Sequence, residues 1–169
     1  MTAIEAAQPA DAKALKLLIE SAYRGDSARQ GWNHEADILD NERISLAEVE
    51  AMLADPAVSM LVARCANGEL TGCVAVTRKD DTMGYLGTFC VDPRMQSAGL
   101  GGKLLDAAEK QARLSGLGAM EMTVITQREV LIAWYERRGY RRTGETRPFP
   151  VPRDPPLRFA VLEKPLTEA

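Results

Sequence analysis

The stretch Phe89-Cys90-Val91-Asp92-Pro93-Arg94-Met95-Gln96-Ser97-Ala98-Gly99-Leu100-Gly101-Gly102-Lys103-Leu104-Leu105 decides how this chain folds. Its first residues close an apolar run that includes Tyr85 and Leu86 and reads as a strand. Asp92 and Pro93 end the sheet there, because proline has no N–H to give to a ladder. Beyond a short turn the apolar spacing becomes helical, with Leu100, Leu104, Ala108 and Ala112 four apart. Gly99, Gly101 and Gly102 sit at the junction. A glycine-rich turn that opens a helix exposes backbone N–H groups and the positive end of the helix dipole, which together bind phosphate. Arg94 and Lys103 add positive charge beside it. The stretch reads as a pyrophosphate cradle.

Three nucleotide motifs use that physics, and the letters separate them. A Walker loop needs Gly-Lys-Ser/Thr, but Gly102-Lys103 is followed by Leu104, and Ser97 stands where the earlier glycine belongs. A dinucleotide fingerprint needs a third glycine where Leu104 stands, and this stretch lies late in the chain. What fits is Gln-x-x-Gly-x-Gly, as Gln96, Gly99 and Gly101, directly after a strand ending Val-Asp-Pro. That pattern resembles the coenzyme A loop of the GCN5-related N-acetyltransferase (GNAT) superfamily.

Working outward, 169 residues suit one domain with a substantial core, residues 1–169 together. Hydrophobic residues make up 46% and charged residues 27%, the balance of a globular protein. A net charge of −3 gives no general pull toward nucleic acid or an anionic membrane. Apolar runs are too short to span a membrane, and Glu5 and Asp11 break any signal-peptide pattern. Cys65, Cys73 and Cys90 are odd in number, lie in expected strands, and lack metal-type spacing; with a single histidine, no metal is expected. The expectation is a reduced, cytoplasmic protein.

Apart from Asp26 to Arg43, where there is little apolar periodicity, the rest of the chain divides into strands and helices. Thr2 to Ala6 reads as a strand, and Pro9-Ala10-Asp11 opens a helix with Leu15, Leu18, Ile19 and Ala22 on one stripe. Ser45 with Glu48 forms a capping box for a helix through Leu53. Val58–Ala66 and Leu70–Thr77 read as strands around an Asn67-Gly68 hairpin turn, and Met83–Val91 as the third strand of the meander. After the glycine-rich helix, which ends near Leu114, come a strand from Met120 to Ile125 and a helix from about 128 to 138, stopped by Gly139. Two closing strands are expected near 140–146 and 157–162, with a proline-rich loop between them.

A second signature lies on the later helix: Leu131-Ile132-Ala133-Trp134-Tyr135-Glu136-Arg137-Arg138-Gly139-Tyr140 resembles the apolar-Tyr-Glu-x-x-Gly-aromatic string of the same superfamily. The two signatures and the order of elements make residues 58–145 similar to that family. The resemblance implies an α/β (α+β) GNAT fold: a mixed, mostly antiparallel central sheet of about six to seven strands flanked by about four helices. It implies acetyl-CoA as co-substrate and direct transfer of the acetyl group to an amine in a ternary complex. On that reading Phe89, Cys90 and Val91 line the pantetheine, and the Val91 N–H receives the developing oxyanion. Gln96, Ser97, Ala98, Gly99, Leu100, Gly101, Gly102 and Lys103 hold the pyrophosphate, and Tyr135 is the general acid. A tyrosine near its reference pKa of about 10 keeps its proton at neutral pH. Taken alone, Tyr135 also reads as a half-buried core aromatic, and Cys90 as a small buried strand residue.

The chain departs from the family at one point: many members carry a glutamate on the strand before the loop, whereas Tyr85 to Val91 holds no carboxylate. The amine then loses its proton through water or to a group from the segment Trp32 to Asp40. Trp32, His34, Glu35 and Asp37 are the candidate acceptor-side residues, since the segment after the first helix lines the acceptor pocket in the family. The loop from Gly144 to Pro156, with Arg147 and Arg153, is the other candidate wall, its arginines suited to a substrate carboxylate. A small-molecule amine acceptor, amino-acid-like or polyamine-like, is expected, with the protein a monomer or homodimer. The rival readings are a protein N-terminal or lysine acetyltransferase, a non-catalytic acyl-CoA-binding module, and, third, a nucleotide-phosphate enzyme.

Overall fold

A computed structural model describes residues 3–23, 44–92, 99–148 and 157–166. Seven strands make one sheet: β1 (Ala3–Ala6), β2 (Val58–Arg64), β3 (Leu70–Arg78), β4 (Met83–Val91), β5 (Ala119–Ile125), β6 (Arg141–Pro148) and β7 (Arg158–Pro165), in the order β1-β2-β3-β4-β5-β7-β6. Four α-helices accompany it among the described residues: α1 (Ala12–Tyr23), entered through a 3₁₀ turn at Pro9–Asp11, α2 (Leu46–Ala54), α3 (Leu100–Leu114) and α4 (Glu129–Glu136). This is the mixed, mostly antiparallel architecture the resemblance implies. Only β4 and β5 pair in parallel, because α3 intervenes between them.

Local chemistry sets the boundaries. Ser45 accepts from the Glu48 N–H at 3.1 Å, and the Glu48 carboxylate accepts in return from the Ser45 N–H, closing the capping box on α2. Gly68 turns the β2–β3 hairpin at φ +91°, and Gly139 stops the turn after α4 at φ +97°, a region that favours glycine. The sheet is buried on both faces at its centre. Val74, Val76, Leu86, Met120, Met122 and Leu162 pack under α3 and α4, with Leu104, Ala108 and Ile132. Met60, Val62, Cys73, Ala75 and Cys90 pack on the other face under α1 and α2, with Leu15, Ile19 and Val49.

Two details differ from the sequence reading. Cys65 lies one residue past the end of β2, where its thiol meets the Asn67 side chain, so only Cys73 and Cys90 are strand residues. β6 runs on to Pro148, two residues past the expected strand end and into the expected loop, because Arg147 and Pro148 pair with Phe159 and Arg158 of β7 after a register shift between Arg142 and Thr146. Proline at 148 is tolerated because β6 is the sheet's edge strand.

Candidate active site

The parallel pairing of β4 with β5 stops early. Met83, Gly84 and Tyr85 oppose Ala119, Met120 and Glu121, and beyond them the two strands part. At the same place β4 bulges against β3: Cys73 opposes Cys90 and Ala75 opposes Gly87, so Thr88 and Phe89 together face the single residue Val74. Thr88 takes φ +46°, a left-handed conformation that a β-branched residue rarely adopts. The bulge shifts the alternation so that Phe89 and Val91 join Leu86 on the α3–α4 face, while Cys90 turns to the α1–α2 face. Asp92 donates its N–H to Thr71 on β3 at 2.8 Å. Since N–H groups alternate along a strand, that of Val91 points to the opposite edge, where β5 has diverged.

A cleft of about 470 Å³ opens on this edge, lined by Phe89, Cys90, Val91, Gly99, Gly101, Gly102, Leu131, Trp134, Tyr135 and Arg138. Gly99 caps α3 at φ +80°, and the first intrahelical bond runs from the Lys103 N–H to the Gly99 carbonyl. The N–H groups of Leu100, Gly101 and Gly102 therefore precede the helix ladder. A Cβ on Gly101 would lie 3.6 Å from the Trp134 ring and 3.9 Å from Phe89, and one on Gly102 would lie 3.7 Å from the Arg138 guanidinium. The absent side chains are what keep this end of the cleft open. The Lys103 side chain is exposed.

The far wall is one stripe of α4 and the turn after it. Leu131, Trp134 and Tyr135 lie on one helix face, and Arg138, two residues past the helix end, continues their spacing. Trp134 stands edge-on to Tyr135 at 5.0 Å between centroids, Tyr135 edge-on to Tyr140 at 5.8 Å, and Phe89 closes the group 6.3 Å from Tyr135. Arg138 lies 3.7 Å over the Trp134 ring and donates to the Trp134 carbonyl at 3.1 Å. Tyr135 is 5% exposed, and burial pushes its phenol well above the usual tyrosine value, with Tyr85 adding to the shift and Arg128 opposing it. Tyr140, behind it, donates to the buried Glu109 at 2.9 Å, whose other oxygen accepts from Lys164 at 2.8 Å. This network ties α3, the link after α4 and β7 together under the aromatic group.

Across the sheet from α4, β5 carries Glu121 and Thr123 on its other face. Glu121 is 3% exposed and accepts from Lys79 at 2.9 Å and Arg147 at 3.0 Å. Burial pushes its carboxyl up, but hydrogen bonds and charge from Arg147 and Lys79 outweigh burial and hold it below the usual carboxylate range. Arg147 also binds Glu145 at 2.8 Å, and the Tyr85 hydroxyl meets Thr123 at 2.6 Å.

The cleft thus gathers Phe89, Cys90, Val91, Gly99, Gly101, Gly102 and Tyr135, all singled out in the sequence. Arg147 is placed elsewhere, on β6, where it meets Glu121 of β5. Gln96, Ser97 and Ala98, like Trp32, His34, Glu35, Asp37 and Arg153, lie outside the described residues. Sequence reasoning missed Leu131, Trp134 and Arg138, although their spacing from Tyr135 was the available signal. It also missed Glu121, a charge inside the apolar alternation Met120, Met122, Val124. Among the described residues no group of three or more His, Cys, Asp or Glu side chains could hold a metal, and no helix is long and apolar enough to cross a membrane.

The comparisons with known proteins agree with this geometry. Residues 15–140 match the model of the acetyltransferase (GNAT) family. An IAA acetyltransferase of Azospirillum brasilense is 35% identical over 117 residues, 68% of this chain and 72% of that protein. Among solved structures, the ribosomal-protein-S18-alanine N-acetyltransferase of Escherichia coli superposes with a TM-score of 0.77 at 18% identity, covering 100% of this chain and 96% of that one. The protein yncA of Salmonella typhimurium, described as a candidate acetyltransferase and solved with its cofactor acetyl-CoA, has a TM-score of 0.71 at 23% identity, again covering 100% and 96%. The two structures carry the fold; the family match and the Azospirillum relative carry the lineage, and by them the chain belongs to the acetyltransferase (GNAT) family of acetyl-CoA-dependent N-acetyltransferases.

Proposed function

We propose that this protein transfers the acetyl group of acetyl-CoA to a primary amine of a small cytoplasmic metabolite, amino-acid-like or polyamine-like. One observation carries the reading: a single cleft joins a glycine-opened helix N-terminus, the diverging edge of β4 and a buried, protonated tyrosine. Acetyl-CoA supplies the activated acetyl thioester. The N–H groups before the α3 ladder, with Gln96, Ser97, Ala98 and Lys103, bind its diphosphate, and Arg138 adds a charge beside them. The Val91 N–H, on the β5 side of β4, donates to the oxygen that gains negative charge. The Tyr135 hydroxyl holds the proton for the departing sulfur, and its raised pKa keeps the resting phenol protonated at neutral pH.

The acceptor approaches on the face that carries Tyr85, Thr123 and Glu121, and Trp32, His34, Glu35 and Asp37 are the further residues proposed to recognise it. Arg147 spends Nε and Nη1 on Glu145 and Glu121, and its Nη2 has no partner among the described residues. That edge suits a substrate carboxylate. Glu121 is a poor base, being ion-paired and held below the usual carboxylate range, so the amine sheds its proton through water or to the Trp32–Asp40 segment.

Isothermal titration with acetyl-CoA, ATP and NADH tests the cofactor, and an amine panel tests the acceptor. Micromolar binding of acetyl-CoA alone, with turnover of small amines, is the expected result. No acetyl-CoA binding would remove the reading of the cleft. Turnover confined to peptides with a free N-terminus or lysine would replace the small acceptor by a protein, and binding without any turnover would leave an acyl-CoA-binding module.

A further inference from the structure

Two of the three cysteines have a relation that the transfer reaction does not use. Cys73 and Cys90 oppose each other directly across β3 and β4, point to the same face, and are 0% and 2% exposed. Their sulfur atoms are in contact at 3.2 Å. The Cys73 thiol also reaches the Thr88 carbonyl at 3.3 Å, so it ties the left-handed residue of the bulge to β3. Cys65 sits away from both, half-buried, its thiol directed at Asn67.

We propose that Cys73 and Cys90 form a reversible cross-strand disulfide that resets the β4 bulge and thereby weakens the cleft. Directly opposed residues of an antiparallel pair meet the spacing a disulfide needs without moving the backbone far. The oxidant is a small peroxide. One thiolate attacks a peroxide oxygen, the O–O bond breaks, and the displaced hydroxide takes up the thiol proton as water, leaving a sulfenic acid. The second sulfur, already in contact, attacks the first; the S–O bond breaks, the S–S bond forms, and a second water leaves. Two thiols are oxidised and one peroxide reduced. A resolving thiol at contact distance also intercepts the sulfenic acid before further oxidation.

The consequence follows from the Thr88 contact. Oxidation removes the S–H that meets the Thr88 carbonyl and draws β4 toward β3 at Cys90. Phe89 and Val91, which flank Cys90 and line the cleft, move with it. In a reducing compartment such a bond is transient, which suits a sensor and not a staple.

The test treats the full-length protein with hydrogen peroxide, then maps peptides without reduction by mass spectrometry. The expected product links the Cys73 peptide to the Cys90 peptide and reverts with dithiothreitol. Amide exchange across 87–91 rises in the oxidised form. Acetyl-CoA affinity falls by roughly 5- to 150-fold, the usual span of a coupling between two sites, and returns on reduction. Cys73→Ser keeps a donor for the Thr88 carbonyl, binds acetyl-CoA like the reduced protein, and with peroxide gives neither a linked peptide nor a loss of affinity that dithiothreitol reverses. Free thiols, or sulfinic acids without a linked peptide, would overturn the disulfide. A linked peptide with unchanged exchange and affinity would overturn its control of the bulge. Only the affinity arm rests on the proposed function: if the reduced protein binds no acetyl-CoA, that function fails, while mapping and exchange still decide the disulfide.

Discussion

Tyr135 is the residue on which binding and chemistry separate most cleanly. Its ring packs among Phe89, Trp134 and Tyr140, and its hydroxyl hydrogen-bonds to no other described residue. Removing the hydroxyl therefore leaves the wall intact and deletes only a proton. Tyr135→Phe is expected to lower kcat by roughly 10²- to 10⁴-fold, the range of a lost general acid, with KM for acetyl-CoA within a few-fold of wild type. Steady-state kinetics with acetyl-CoA varied would check this, and a rise in KM with kcat intact would make Tyr135 a packing residue. Burial raises its pKa, so the phenol stays protonated below its ordinary value of about 10. Any loss of rate below that pH then comes from another group. Arg138 makes the complementary case. Its guanidinium lies beside Gly102 at the α3 end of the cleft, where the diphosphate is proposed to bind, part-buried over Trp134. Arg138→Gln is expected to weaken acetyl-CoA binding by roughly tenfold at low salt, with the gap closing as salt screens the wild-type contact. Titrations at two ionic strengths read it, and a variant as tight as wild type at both would remove Arg138 from the phosphate site.

At the scale of elements, α3 reaches its place because β3 offers no side chain at Gly72. A Cβ there would fall 2.6 Å from Leu104 and 3.2 Å from the Cys90 carbonyl, and the second neighbour is backbone. Gly72→Ala should cost about 1–3 kcal/mol through overpacking, seen as a lower midpoint in urea, with α3 and β4 forced apart. An unchanged midpoint would mean that α3 slides freely on β3. The helix itself was legible, since Leu100, Leu104, Ala108 and Ala112 mark one face and Gly99 marks its start. The parallel β4–β5 step was legible too, because a helix between two strands requires a crossover. The bulge was not, since Gly87-Thr88-Phe89 carries no extra letter to announce that two residues will oppose one. Nor was the end of β6, where pairing with β7 extended a strand into a stretch that glycine and proline had marked as loop. Local propensity yields to such pairing because the ladder satisfies backbone groups that a loop would leave to water.

Across the whole molecule, the parted strands leave the sheet in two halves, β1–β4 and β5–β7–β6, joined through three parallel residue pairs and the Tyr85–Thr123 contact. Glu121 strengthens that seam. From β5 it holds Lys79, at the turn after β3, and Arg147, on β6, so one carboxylate reaches both halves. This clamp was invisible in the sequence, because its partners lie 42 and 26 residues away and nothing local pairs them. It carries a sign that can be tested. The two cations hold the folded Glu121 below its unfolded pKa of about 4.3, so in acid the unfolded chain takes up the proton first. The stabilisation is thus fully present above that value and is lost as pH falls through the folded pKa. Because Lys79 and Arg147 keep 42% and 32% of their side chains in solvent, screening limits each ion pair to about 1 kcal/mol or less. Urea unfolding of the wild type and of Glu121→Gln between about pH 6 and pH 2 should therefore give curves that converge in acid, the variant being weaker only where the carboxylate is charged. Parallel curves would show that the variant's cost is steric, and would assign the seam between the halves to the ladder and the Tyr85–Thr123 contact alone.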